Sequence, residues 1–177
     1  CTFLQRPGGG FRDGLIHAIY GGIYGKLHSP IYEPGHKWTG PEVMPVLLHM
    51  GPAAPSGLTR LESDAMGTDY RDNLFACYFN LHKVGRHVLT PSGASFTTQD
   101  EDFVTSPDLD FHPTDVIEDA DGSLVVIDTG GWYALCCPSS QLEKPDVLGG
   151  VYRIRRKDAP PVDDPRGLRL AWKTMTP

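Results

Sequence analysis

The sequence predicts an all-β fold forming part of a β-propeller with NHL-like blades, and three observations carry that expectation. One β unit is written twice: HMGPAAPSGLTRLES followed by DNLFACYFNLHKVGRHVL is matched by DFHPTDVIEDADGSLVVIDTGGW followed by GGVYRIRR. Pro55 and Pro113 open the copies 58 residues apart (113 − 55), and each leads into a short strand, a polar turn and a second apolar strand. The chain's 20 Gly and 16 Pro fall between apolar runs, where Gly supplies positive φ and Pro stays out of central ladders. Few segments carry a 3.6-residue period. Repeats of this size built from short strands are the signature of propeller blades, with a sandwich of regularly spaced strands as the alternative.

The first 50 residues are rich in Gly and Tyr, and strands are expected near Leu15–Tyr20 and Val43–His49 with a loop from Ser29 to Gly40. Asp13 to Tyr20 is a faint third echo of the repeat. Next come strands near Gly57–Glu62, Leu74–Asn80 and Val84–Thr90, a turn at Pro91-Ser92-Gly93, an outer strand Ser95–Gln99 and an acidic connector Asp100–Asp110. Sliding the copies over each other sets Asp72-Asn73-Leu74-Phe75-Ala76-Cys77-Tyr78 against Gly122-Ser123-Leu124-Val125-Val126-Ile127-Asp128. The second copy therefore places strands near Asp115–Glu118, Leu124–Asp128 and Gly150–Arg155. Blades fall near 1–50, 51–105 and 106–157, and 158–177 reads as a linker or the start of another element. At about 40 to 50 residues per blade this is roughly three to four blades, too few to close a ring. The chain starts at Cys1 and reads as a processed or excised piece of something longer.

A composition of 40% hydrophobic and 21% charged residues is that of a globular domain. The net charge of −6 argues against a general nucleic-acid binder, which needs clustered Lys and Arg. One basic cluster, Arg153, Arg155, Arg156 and Lys157, reads as a solvated strand exit. No apolar run is long enough to span a membrane, and no signal sequence is visible.

In a blade, the loop leading into the innermost strand and the loop joining the second and third strands share one face of the disc, where ligands bind. That rule nominates His49–Ser56, Asn80–Lys83, Phe111–Asp115 and the 22-residue excursion from Asp128 to Gly149. His112 is the candidate general base, because imidazole titrates near neutrality, with Asp115 and Asp128 to orient it. His49 and His82 fall in the same loops and are candidate cofactor contacts, together with Trp132, Cys136 and Cys137 in the Trp132–Pro138 loop. His87 lies mid-strand and reads as a packing or surface residue. No metal site is expected: His49, His82 and His112 lack ligand spacing, and EDADGS lacks the Glu at position twelve of a calcium loop, where Gly130 stands. Cys136 and Cys137 are adjacent, which strains a disulfide between them. Some disulfide among Cys77, Cys136 and Cys137 is expected, with a metal site or free thiols as the alternatives.

Over residues 12–157, most firmly 50–157, the quoted segments resemble the propeller of the large membrane-bound dehydrogenases of planctomycete-type bacteria. That propeller is similar to soluble quinoprotein glucose and sorbosone dehydrogenases. The resemblance implies a six-bladed ring in an exported or periplasmic location. It also implies oxidation of a sugar or alcohol by pyrroloquinoline quinone (PQQ), with calcium as an accompanying ion. Electrons would pass to a haem c domain outside this segment, beside helical repeats of the parent chain. No residue here matches the Arg-Asn pair, the Lys or the calcium loop of the soluble enzymes. The competing expectation is a non-catalytic propeller binding glycan or a partner domain through Trp38, Trp132 and Tyr133.

Overall fold

The computed structural model describes residues 4–5, 11–24, 43–131 and 144–159, with scattered positions from 161 to 174. The described chain is all-β and builds three antiparallel sheets. The first sheet holds β1 (Leu4–Gln5), β2 (Phe11–Leu15) and β3 (Leu48–Gly51). The second is a meander of β4 (Pro55–Arg60), β5 (Leu74–Tyr78), β6 (Lys83–Ser92) and β7 (Ser95–Thr105). The third is a meander of β8 (Pro113–Glu118), β9 (Leu124–Asp128) and β10 (Gly150–Ile154).

The two copies of the repeat coincide in register. Pro55 opens β4 opposite Tyr78, Pro113 opens β8 opposite Asp128, and an irregularity follows each proline. Both prolines start an edge strand, where a missing N–H breaks no central ladder. Asp72 and Gly122, set against each other by the repeat, turn the chain at φ 63° and 73° just before β5 and β9.

Both faces of β5 are buried. Ala76 and Tyr78 pack with Leu15, Met50 and Ala53 from around the first sheet. Phe75 and Cys77 point the other way, onto Val116, Leu124 and Val126 of the third. The second sheet thus lies between the other two, and continuous burial of the run LFACY follows from having cover on both sides. The first strands of the two meanders touch. A Cβ on Gly57 would sit 2.5 Å from Asp115 Cα and 2.7 Å from the Val116 nitrogen, so only glycine allows this approach. Ser56 Oγ donates to the Pro113 carbonyl at 3.0 Å, and the Glu118 carboxylate accepts from the amides of Glu62 and Ser63 at 2.6 and 3.0 Å.

Several expectations need correction. The acidic stretch from Asp100 is no connector as far as Thr105: β7 runs through it, because its acids face cations on β6. Lys83 meets Asp102 at 2.6 Å, Arg86 meets Glu101 at 2.7 Å, and His87 meets Asp100 at 2.7 Å. Pro91 and Ser92 belong to β6, and the hairpin turns at Gly93, whose φ of 59° suits a primed turn. In the first segment the strand is Phe11–Leu15, not Leu15–Tyr20, and β5 ends at Tyr78 in a 3-10 turn, Phe79–Leu81.

Candidate functional site

Three of the four nominated loops meet at one end of β5 and β9. The chain reverses out of β5 through the Phe79–Leu81 turn, which ends on His82 in the left-handed region (φ 52°, ψ 42°). That reversal sets His82 Nδ1 2.9 Å from the Phe111 carbonyl, on the segment leading into β8. Asp128, at the end of β9, is buried, and one of its oxygens accepts from the amides of both His112 and Gly130 at 2.8 Å. One carboxylate therefore locks the entry to β8 against the exit from β9. The fourth loop joins through the Asn80 amide, which donates to the Ala53 carbonyl at 3.0 Å.

The ring of His112, 6% exposed, lies with Nδ1 3.0 Å from the Asp110 carbonyl and 2.8 Å from the Gly130 carbonyl. Carbonyls only accept, so Nδ1 carries a proton. The same logic assigns Nδ1–H to His82. The two rings stand 5.1 Å apart at 69°, and Phe79 covers His112 at 4.6 Å. Lys144 grips the Asp110 carboxylate at 2.6 and 2.9 Å and ties the far end of the Asp128–Gly149 excursion to the rim.

Of the residues nominated from sequence, His82, His112 and Asp128 meet in one cluster. Asp128 holds backbone amides rather than the imidazole. Asp115 does not orient His112: it is exposed, its carboxylate accepts from the Val116 amide, and it lies toward Gly57. His49 is exposed on β3 opposite Gly14, and no described residue bonds it to the rim. Trp38, Trp132, Tyr133, Cys136 and Cys137 lie outside the described residues. Cys77 is a free buried thiol, so the expected pairings through it are not made. Burial pushes that thiol up to about 12, with the charge of Asp115 adding to the shift and a hydrogen bond from the Gly57 backbone opposing it.

A second polar cluster was missed. His87 is fully buried, with Nδ1 2.7 Å from Asp100 and Nε2 3.4 Å from the Tyr78 hydroxyl. Burial, then the charges of Asp100 and Asp102, raise the Tyr78 phenol above its ordinary value. The available signal was the facing of His87 and Asp100 across β6 and β7, visible once the acidic stretch is read as strand.

At the opposite end of β9, EDADGS forms the expected β turn, the Gly122 amide donating to the Asp119 carbonyl at 2.8 Å. Arg153 lowers the Asp119 carboxyl by a hydrogen bond, and Asp121 is lowered chiefly by the Ser123 hydroxyl.

Residues 40–158 match the family model described as a domain of unknown function, DUF7133. The chain belongs to the DUF7133 family. In DUF7133 terms, the matched region takes in the second and third sheets, β3 and the whole His82–His112–Asp128 cluster. The family description names no activity and lends the dehydrogenase resemblance no support. No curated protein and no solved structure matches the chain. Among the described residues, no helix is long and apolar enough to cross a membrane.

Proposed function

We propose that the three sheets are consecutive propeller blades and that the His82–His112 rim binds a hydroxyl-bearing small molecule, a sugar or an alcohol. The propeller reading rests on the two meanders set side by side through their first strands, β4 and β8, with the β5 sheet covered on both faces. The ligand reading rests on one observation: two imidazoles 5.1 Å apart are each anchored through Nδ1 to a backbone carbonyl, side by side where the loops meet. An imidazole in such a place can hydrogen-bond a substrate hydroxyl and, in an oxidation, take its proton. Asp128 supports this by fixing the backbone that carries His112.

PQQ carries three carboxylates and calls for cations around it. The described rim offers Lys144, whose ammonium Asp110 already holds, and sets the carboxylates of Asp110 and Asp128 beside it. Among the described residues no group of three His, Cys, Asp or Glu side chains is placed to hold calcium. The described residues do not fit the quinone–calcium pair, so the binding reading stands ahead of the dehydrogenase reading.

Calorimetry with glucose and a panel of simple sugars and alcohols tests the proposal. Saturable binding that His82→Ala and His112→Ala each abolish, while both variants keep the native circular dichroism, is the expected result. Absence of binding across the panel overturns it. Dye reduction in the presence of quinone and calcium, lost in His112→Ala, would restore the dehydrogenase reading.

A further inference from the structure

A cavity of about 500 Å³ opens at the opposite end of β9 from His112, where the chain leaves β10 and passes over the Asp119–Gly122 turn. This volume lies within the range of small-molecule sites. One wall carries Arg155, Arg156 and Lys157; the other is apolar, with Ala65, Met66 and Ala159. The basic run reads from sequence as a solvated strand exit, and the structure divides it. Arg153 is matched by Asp119 and Asp121, and Arg155 shares Asp121. Among the described residues, neither Arg156 nor Lys157 has a carboxylate within 4.0 Å. Asp121 is thus the one carboxylate of the described lining, facing three cations, in a protein whose formal charge is −6. The Arg156 guanidinium is seated against Gly67 with the Asp69 carboxylate nearby beyond ion-pair distance: a Cβ there would stand 2.9 Å from Nη1 and 2.7 Å from Asp69 Oδ1.

We propose that this cavity binds a small organic phosphate, with the phosphate group between Arg156 and Lys157 and the organic part against Ala65 and Met66. A guanidinium offers parallel N–H donors that match two phosphate oxygens, and the ammonium adds a point charge. The apolar wall gives the rest of the molecule a surface that free phosphate has no use for. This site is separate from the His82–His112 rim and takes a ligand of different charge.

Calorimetric titration at low ionic strength with glucose 6-phosphate, inorganic phosphate and glucose tests it. Glucose 6-phosphate is expected to bind saturably at one site, with affinity falling as salt rises. The double variant Arg156→Gln/Lys157→Gln should weaken binding at least about tenfold, whereas Arg60→Gln, a paired surface cation elsewhere, should not. Inorganic phosphate binding as tightly as the ester at the same residues would keep the oxyanion site and assign it to free phosphate. No saturable binding of either phosphate, or full binding retained by a folded double variant, overturns the proposal.

Discussion

The second and third sheets are the same sequence unit used in two ways. Phe75 on β5 is fully buried between neighbours. Its counterpart across the repeat, Val125, is 8% exposed, but its neighbours on that face of the third sheet, Ile117, Ile127 and Val151, are 46%, 36% and 72% exposed. The difference is one of cover, since the strand pairing is shared. At the same register position the first copy places Tyr78 and the second Asp128. Tyr78 belongs to the core and reaches His87. Asp128 turns its carboxylate onto two amides and fixes His112. One copy therefore serves as scaffold, and the other uses the equivalent position to hold the loop that carries His112.

The comparison predicts unequal responses to matched substitutions. Phe75→Ala should cost about 3–5 kcal/mol of unfolding free energy, and Ile127→Ala under about 1 kcal/mol, read from urea midpoints. Equal costs would mean that the third sheet is covered as fully as the second. Asp128→Ala strips two amides of their acceptor and should cost about 1–3 kcal/mol, against about 0.5–1.5 kcal/mol for Tyr78→Phe. Reversal of that order would show that the rim clamp contributes less than the scaffold bond. Gly57→Ala drives a Cβ onto the β8 backbone and should cost about 1–3 kcal/mol, with loss of hydrogen-exchange protection in both β4 and β8. A loss confined to β4 would deny the strand-to-strand contact.

The smallest effect concerns Cys77. Its thiol titrates at about 12 in the fold against 9.0 for the reference group, so the native state holds the proton more tightly than the unfolded chain. Stability contributed this way is fully present below pH 9 and is lost as pH rises through the window up to about 12. Cys77→Ala should flatten that alkaline limb. Iodoacetamide at pH 8 should label the native thiol only after denaturant is added.

Much of the fold was legible because the repeat carries register as well as composition: aligning Asp72–Tyr78 with Gly122–Asp128 set the start of β5 and both ends of β9, although β5 was expected to run on to Asn80 and stops at Tyr78. The length of β7 was not legible. Its acids read as a solvated connector when taken alone, and they become strand residues only through cations on β6. The rim was legible at the level of loops, since topology alone brings Asn80–Lys83, Phe111–Pro113 and Asp128–Gly131 together. Side-chain roles were not, because a carboxylate three residues from a histidine bonds whatever the backbone presents. Asp115 follows its own strand edge toward Gly57, and Asp128, sixteen residues from His112, accepts from its amide.

The tautomers of His82 and His112 test the central claim most directly, because the rim's chemistry depends on two Nδ1–H imidazoles held by carbonyl oxygens. Long-range ¹⁵N–¹H correlation spectra of the histidine rings at neutral pH read this without any ligand. A proton on Nδ1 in both rings is the predicted result. A proton on Nε2 with a bare Nδ1 in His112 would contradict the account, since that nitrogen would then face two carbonyl lone pairs.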